Sequence, residues 1–473
     1  MKILMLSSEL APFAKVGGLA DVMGSLPKAI KKQGADVRLA LPLYGNINIK
    51  KQKLKRVLSN IKVAGCNVNI WQGKIPNSKV IVYFVECKKY FCKKQVYCDN
   101  NQERFLFFSI SILQILFLIN FKPDIIHCND YHTALIPSLL KNLDNNFLKE
   151  TKTILTIHNL QFQGKTKIKN FSNQYLKKYL EQIFSKEKSE NINFMVNGIL
   201  NSNAISTVSK TYAKEITTKK FGEGIENIIK SKKKNLYGVV NGIDVDFFNP
   251  QTDKYIKQKY SIKTLNKKTE NKVYLQKILG LPIDKNKAIV GLVSRLVWQK
   301  GIELFSEKFA RLNCQFVFLG TGEKKYEDHL KKIARKYSDK ISVNIMFDIK
   351  LANQIYAGSD IFLMPSRFEP CGLGQLIAMR YGAVPVARAT GGLKDTIENF
   401  NFKKAIVKNK KATGFVFNKF SLIAFYRKLN NAINLYYNDK KSWKKIQLNG
   451  IKSDFSWDNS AKQYLDLYKK LIK

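Results

Sequence analysis

Short apolar runs alternate with longer helical stretches along most of this chain, and the series runs twice. The first series reads KILMLSS, DVRLALP, KVIVYFVE, PDIIHC, KTILTIH, NAISTVS and LYGVV; the second reads NKAIVGLVS, CQFVFLGTG, ISVNIMF, SDIFLMPS and AVPVARATGG. Apolar runs of this length separated by helices are the pattern of parallel strands covered on both faces by βα units. The fold class is therefore α/β, with two doubly wound domains. Their junction falls near VVNGIDVDFFNPQTD, Val239–Asp253, where Asn-Gly and Asn-Pro supply turn chemistry. Open sheets of this kind bind ligands at the carboxyl ends of their strands, so the loops that follow strands are where chemistry is sought.

The chain has 473 residues, 45% of them hydrophobic and 25% charged, enough for two globular cores. Lys and Arg number 81 against 36 acidic residues, a net charge of +45. A phosphate-reading surface favours the Arg fork. Here the cations are nearly all Lys and are spread along the chain, so a solvated basic surface is expected and no nucleic-acid partner. The cluster Lys230–Asn235 reads as an exposed loop. Seven cysteines, an odd number without a CxxC pair, argue against both a disulfide framework and a zinc site. The most apolar stretch, Phe105–Ile119, is shorter than the ~20 residues a membrane span needs and reads as a buried helix. The chain enters a strand-like run at once, so no leader is expected. The helix expected from Gly18 should be kinked by Pro27 and ended by Gly34.

Each loop after a strand offers candidates, and each has an ordinary structural alternative. Lys15, Gly17 and Gly18 follow the first strand and precede a helix, an arrangement suited to an anionic oxygen or to a plain Gly turn. Arg295 and Lys300 follow the first strand of the second series and fit either a phosphate pair or a solvated surface. Thr390, Gly391 and Gly392 form a second possible anion loop, while Gly320–Glu323 reads as a structural turn. Glu369 sits just before CGLGQ, either as a carboxylate among cations or as a helix-start residue favoured by the dipole. His132 and His158 fall in strand-end loops, which fits sugar binding or buried structural roles. Asp244 and Asp246 form a DxD in the junction, read as structural; no metal ligand set is expected.

Taken together and in order, SSELAPFAKVGGLADV, HCNDYHTALIP, TIHNLQFQG, STVSKTYAKEI, VVNGIDVDFFNP, SRLVWQKG, SRFEPCGLGQL, TGGLKDT and the late DFSW resemble the bacterial and plastid glycogen/starch synthase family over essentially the full length. The resemblance implies a GT-B fold, two Rossmann-like domains facing a central cleft. It divides the chain into residues 1–240 on the glucan side, 241–456 on the nucleotide-sugar side, and a last helix, 457–473, crossing back to the first domain. It implies retaining transfer of glucose from ADP-glucose to the non-reducing end of an α-1,4-glucan, without metal or other cofactor, in a bacterial cytoplasm or a plastid.

On the donor side the resemblance implies Lys15, Gly17, Gly18, Asp21, Arg295, Lys300, Cys371, Gly372, Leu373, Thr390, Gly391 and Gly392, with Phe347 stacking on adenine. Glu369 would lie near the transferred glucose, and Asp130, His132, His158 and Asn159 would line the sugar side. Lys15, Arg295, Lys300, Glu369 and His158 would carry the catalysis. The chain departs from the family at Asn129, where His is frequent, at Tyr131 and Phe248, where Trp is frequent, and at Ile349 and Asn353, where Glu and His are frequent. The alternatives are a UDP-glucose-using relative of the same fold and a glucan-binding paralogue without activity.

Overall fold

The computed structural model describes residues 1–142, 146–185, 190–402 and 409–473. The chain divides into two compact units, Met1–Gly242 with Trp457–Lys473, and Ile243–Ser456.

The first unit is built on a nine-stranded sheet of order β11-β10-β7-β6-β1-β2-β5-β4-β3. The strands are β1 (Lys2–Leu6), β2 (Asp36–Pro42), β3 (Lys55–Val63), β4 (Cys66–Lys74), β5 (Ile81–Glu86), β6 (Ile125–Asn129), β7 (Lys152–Ile157), β10 (Ala204–Thr207) and β11 (Leu236–Gly238), with β8 (Lys165–Lys167) and β9 (Asn191–Asn193) as a separate antiparallel pair. Every pairing from β11 to β5 is parallel; only β4 and β3 join antiparallel. The strands read from sequence are all present, and the β3–β4 hairpin is an addition. Its strands show mostly exposed and half-buried residues, without the apolar run that marks the others. After β1 the chain builds outward through β2, then returns to place β6 on the other side of β1. That reversal makes the β1/β6 edge the switch point, where two successive loops diverge and leave room for a ligand.

The helix Gly18–Lys32 runs unbroken through Pro27 and ends at Gln33, with Gly34 at φ +95°. The apolar stretch forms the helix Asn101–Leu118, buried along most of its length, and its two buried charged residues are held by hydrogen bonds, though Arg104 Nη2 has no partner among the described residues. Arg104 donates to the carbonyls of Tyr90 and Val96, and Glu103 accepts from Ser172 and from the Tyr90 hydroxyl. Among the described residues no helix is long and apolar enough to cross a membrane. The lysine cluster is not a loop: Lys230 lies in the last turn of the helix Glu226–Ser231, and Lys233–Asn235 forms a 3-10 turn, both exposed as expected.

The last helix, Trp457–Ile472, packs on this first unit. Its Tyr468 hydroxyl lies 2.7 Å from Nδ1 of His127, whose Nε2 lies 2.6 Å from the Thr156 hydroxyl, which in turn contacts the Ser206 hydroxyl at 2.5 Å. This buried chain ties the C-terminal helix to β6, β7 and β10.

The second unit has a six-stranded sheet, all parallel, of order β14-β13-β12-β15-β16-β17. Its strands are β12 (Ala288–Val293), β13 (Cys314–Leu319), β14 (Ile341–Asn344), β15 (Ile361–Met364), β16 (Val384–Arg388) and β17 (Phe415–Phe417). Each residue of β13 and β15 is buried, as a strand covered by helices on both faces requires. Here the switch point lies between β12 and β15.

The buried Tyr468–His127 contact makes a direct prediction. Tyr468→Phe leaves a buried ring nitrogen without its partner and should lower stability by about 1–3 kcal/mol, read from the urea midpoint.

Candidate active site

At the first switch point the loop after β1 is organised by a carboxylate. Glu9 is buried, and its Oε2 accepts from the backbone N–H of Val16 at 2.8 Å and of Gly17 at 2.7 Å. Its other oxygen accepts from the Tyr97 hydroxyl at 2.6 Å. Gly17 therefore offers its N–H to Glu9 and not outward, which corrects the expectation of an open amide there. Its φ of −140° is ordinary extended backbone, and a Cβ at this position would come only to 3.8 Å of Glu9. Neither special angles nor crowding by protein demands this glycine. Gly18 starts the helix. Lys15 reaches Asp21 at 2.6 Å, with both side chains well exposed. Sequence reasoning misses Glu9; the signal it offers is an acidic residue soon after a buried apolar strand.

The loops after β6 and β7 meet at the same edge. Asp130 is buried at φ +55°, and its Oδ1 accepts from the N–H of His158 at 2.7 Å and of Asn159 at 3.4 Å. Asp130 thus holds the second loop through one of its carboxylate oxygens. Burial raises its pKa to about 7, against the pull of those two N–H donors. His158 Nε2 lies 2.8 Å from Asn129 Oδ1. The Asn129 amide nitrogen donates to the carbonyls of Leu6 and His127, so its oxygen must accept and His158 must carry its proton on Nε2. Nδ1 of His158 is left as an acceptor. Burial lowers the His158 pKa to about 3, so the ring is neutral at neutral pH.

His132 takes a different place from the one expected. It is buried, with ring contacts to Tyr97, Phe105 and Tyr131 at centroid distances of 5.1, 4.6 and 3.9 Å. It belongs to the aromatic packing against the helix Asn101–Leu118, because the short turn Tyr131–Thr133 folds inward from β6.

At the second switch point Lys300 and Glu369, which are 69 positions apart, meet at 2.6 Å, with side-chain exposures of 15% and 7%. The Ser366 hydroxyl donates to the same carboxylate oxygen at 2.9 Å. Arg388 donates to the carbonyls of Ser366 and Arg367, and the Arg367 N–H donates to the Gln299 carbonyl, so the loops after β12 and β15 are stitched to each other and to the end of β16. Removing one partner of such a pair leaves an uncompensated buried charge, typically worth about 3–5 kcal/mol.

Gly391 and Gly392 answer to this loop. A Cβ on Gly391, at φ +43°, would lie 2.0 Å from the Glu369 carbonyl oxygen, and one on Gly392 would lie 2.1 Å from the Cys371 carbonyl oxygen. The Gly392 N–H donates to the carbonyls of Glu369 and Pro370. The pair exists because the Glu369 loop passes against it, which corrects the expectation that both amides point at a ligand. Thr390 is fully buried beside them. Gly320 serves its own loop in the same way: a Cβ there would strike the Ser294 carbonyl, so this turn seats the strand end that leads to Arg295.

Arg295 is exposed and forms no ion pair among the described residues. Phe347 is 77% exposed, an aromatic ring held out just before the helix Ile349–Gly358. Cys371 is buried, Leu373 is half-buried, and Gly372 takes φ +75° over the Gln375 amide, which donates to the carbonyls of Cys371 and Gly372. Asn353 is buried and donates to Asp253, which also accepts from the Tyr381 hydroxyl, so this departure from the family serves packing. Asp244 Oδ1 accepts from the N–H groups of Asp246 and Phe247, an ordinary turn. Among the described residues no cluster of three His, Cys, Asp or Glu could hold a metal ion.

Known proteins are similar to this chain over its whole length. A family model described as the starch synthase catalytic domain matches residues 2–231, and one described as glycosyl transferases group 1 matches residues 277–450. A glycogen synthase of Thermotoga petrophila is 43% identical over 486 aligned residues, covering 100% of this chain and 99% of that protein. A glycogen synthase of Desulforamulus reducens is also 43% identical at the same coverage. The catalytic domain of starch synthase IV from Arabidopsis thaliana, solved bound to ADP and acarbose, matches with a TM-score of 0.89 at 33% identity, covering 100% of this chain and 99% of that one. A sucrose-phosphate synthase from Thermosynechococcus elongatus shares the fold, with a TM-score of 0.62 at 16% identity over 99% and 98% of the two chains.

The buried titratable groups fix a sign for the effect of acid. His127, His132 and His158 each have a pKa lowered to about 3 by burial, so their contribution to stability is whole above about pH 6.5 and is lost as pH falls toward 3. Asp130, raised to about 7, works oppositely: its contribution is whole below about pH 4 and is lost as pH rises through 7. At pH 5 unfolding therefore takes up roughly three protons on the histidines and releases roughly one from Asp130. The melting temperature should fall between pH 6.5 and pH 4, and Asp130→Asn should make that fall steeper in a pH series of thermal melts.

Proposed function

The chain belongs to the glycogen and starch synthase family of GT-B glycosyltransferases, and from that premise we propose that it moves glucose from ADP-glucose to the non-reducing end of an α-1,4-glucan with retention of configuration. The observation that carries this reading is the Lys300–Glu369 pair, a cation and a carboxylate fixed together at the second switch point. That the Arabidopsis relative was solved with ADP and acarbose supports ADP as the nucleotide.

The chemistry follows from charge. When the bond between glucose C1 and the phosphate oxygen breaks, negative charge grows on the leaving diphosphate and positive charge on the sugar ring. Lys15, Arg295 and Lys300 meet the first, and the carboxylate of Glu369 meets the second. The departing phosphate oxygen takes the proton of the acceptor hydroxyl as C1 bonds to that hydroxyl's oxygen on the same face. Gly17, Gly18, Asp21, Cys371, Gly372, Leu373, Thr390, Gly391 and Gly392 shape the donor loops, and Phe347 stacks on adenine. His158 presents Nδ1 to a sugar hydroxyl. Asn159 lies beside it, and Asp130 fixes both residues through their backbone. The bacterial relatives support a bacterial cytoplasm as the setting.

Labelled ADP-glucose should be incorporated into glycogen, with UDP-glucose a poor donor and EDTA without effect. Transfer from UDP-glucose alone would install the alternative donor. Lys15→Ala, Arg295→Ala and Lys300→Ala should each lower turnover by about a hundredfold or more, the usual loss for one contact to developing charge. Unchanged turnover in any one of them would remove that residue from its role.

A further inference from the structure

Beside the Lys300–Glu369 pair stands a second ion pair that none of the roles above uses. Glu303 lies three positions after Lys300, and Arg367 lies two positions before Glu369. Arg367 donates through Nε to Glu303 Oε1 at 2.8 Å and through Nη2 to the same oxygen. Its guanidinium carbon also stands 4.2 Å from the centre of the Phe420 ring and 4.8 Å from that of Trp298, which opens the short turn Trp298–Lys300. We infer that Arg367 and Glu303 are positioning residues: gripped together, they hold the loop that carries Lys300 against the loop that carries Glu369 and so set where the ammonium stands during transfer. The inference rests on the glucosyl-transfer reading of the preceding subsection and deepens it at the same site.

Three observations support it. First, the backbone on both sides of Lys300 is bound to the Glu369 loop. Before it, the Gln299 carbonyl accepts from the Arg367 N–H at 2.8 Å, and the Gln299 side chain donates to the Phe368 carbonyl at 3.3 Å. After it, Gly301 takes φ +68°, and a Cβ there would lie 2.3 Å from the Pro365 carbonyl oxygen and 3.0 Å from the Phe420 ring. Arg367 lies against that same ring, so its guanidinium closes the contact between the two loops. Second, the pair is poorly placed to serve stability. Both side chains are 31% exposed, and ion pairs at such exposure contribute little. Both Arg367 donors share one oxygen, and Glu303 Oε2 is buried with no partner among the described residues. An arrangement that leaves a buried acceptor unmet favours a set geometry over a fully satisfied one. Third, a guanidinium suits the task. Its planar fork holds a carboxylate while its face lies on aromatic rings, which a lysine ammonium does less well. With Nε and Nη2 committed to Glu303, Arg367 acts through Lys300 rather than on the substrate.

The test uses the full chain and the nucleotide sugar that the wild type accepts. Glu303→Gln keeps the shape but not the charge, and Arg367→Lys keeps the charge but not the fork. Each should lower kcat by roughly tenfold, within the loss that a small misplacement of a catalytic group causes. The KM for the donor should move by less than about twofold, because the charge that Lys300 meets grows only in the transition state. In a Lys300→Ala background, Glu303→Gln should change the residual kcat by less than about twofold, since no ammonium is left to position. Wild-type kcat in both variants, an equal factor lost with and without Lys300, or losses that track a fall in melting temperature would each overturn the positioning role alone. A wild-type chain that transfers glucose to glycogen from neither ADP-glucose nor UDP-glucose overturns the function and the positioning together.

Discussion

The second unit depends on how Lys300 and Glu369 are brought to 2.6 Å of one another. They come from loops after β12 and β15, adjacent strands whose chain connections run to opposite sides of the sheet. The Glu369 loop folds against the start of the helix Gly391–Thr396, which follows β16, and only glycine at 391 and 392 permits that approach. Ser366 and Arg388 then fix the carboxylate and its backbone. A nearly buried cation held this way cannot wander as a surface lysine does. It is oriented before any ligand arrives, which is the condition under which a fixed charge stabilises a transition state most effectively.

The first unit uses another device for the same end. Two buried carboxyl groups accept backbone N–H groups, Glu9 from its own loop and Asp130 from the loop after β7, and so hold Gly17, His158 and Asn159 in place. Asn129 completes this arrangement by fixing which nitrogen of His158 carries the proton. The resulting ring is neutral and rigid, with one acceptor nitrogen of defined direction. The histidine frequent in the family at position 129 would compete for that proton; the amide does not, because its nitrogen is already committed to two carbonyls.

The fold is readable in the sequence because its central strands are buried on both faces and therefore appear as apolar runs, as in CQFVFL of β13. The β3–β4 hairpin escapes since neither strand carries such a run, and the lysines of 230–235 conceal a short helix end. Charged site residues are legible as positions after strands, but their partners are not. Lys300 and Glu369 are 69 residues apart, and nothing local in the sequence announces their contact. Glycines read as openings for a ligand, whereas at 391 and 392 they make room for the protein's own carbonyls. His132 reads as a ligand from its place in a strand-end loop; three surrounding rings, two of them distant in sequence, decide its burial.

If Lys300 and Glu369 act as one unit on the donor, their contributions cannot be removed twice. A double-mutant cycle on kcat, with Lys300→Ala, Glu369→Gln and the two combined, tests this most directly, because residues that work together lose their effects together. The double variant should then be no slower than the slower single one. Losses that multiply, each substitution costing the same factor in the presence or absence of the other, would contradict the coupling.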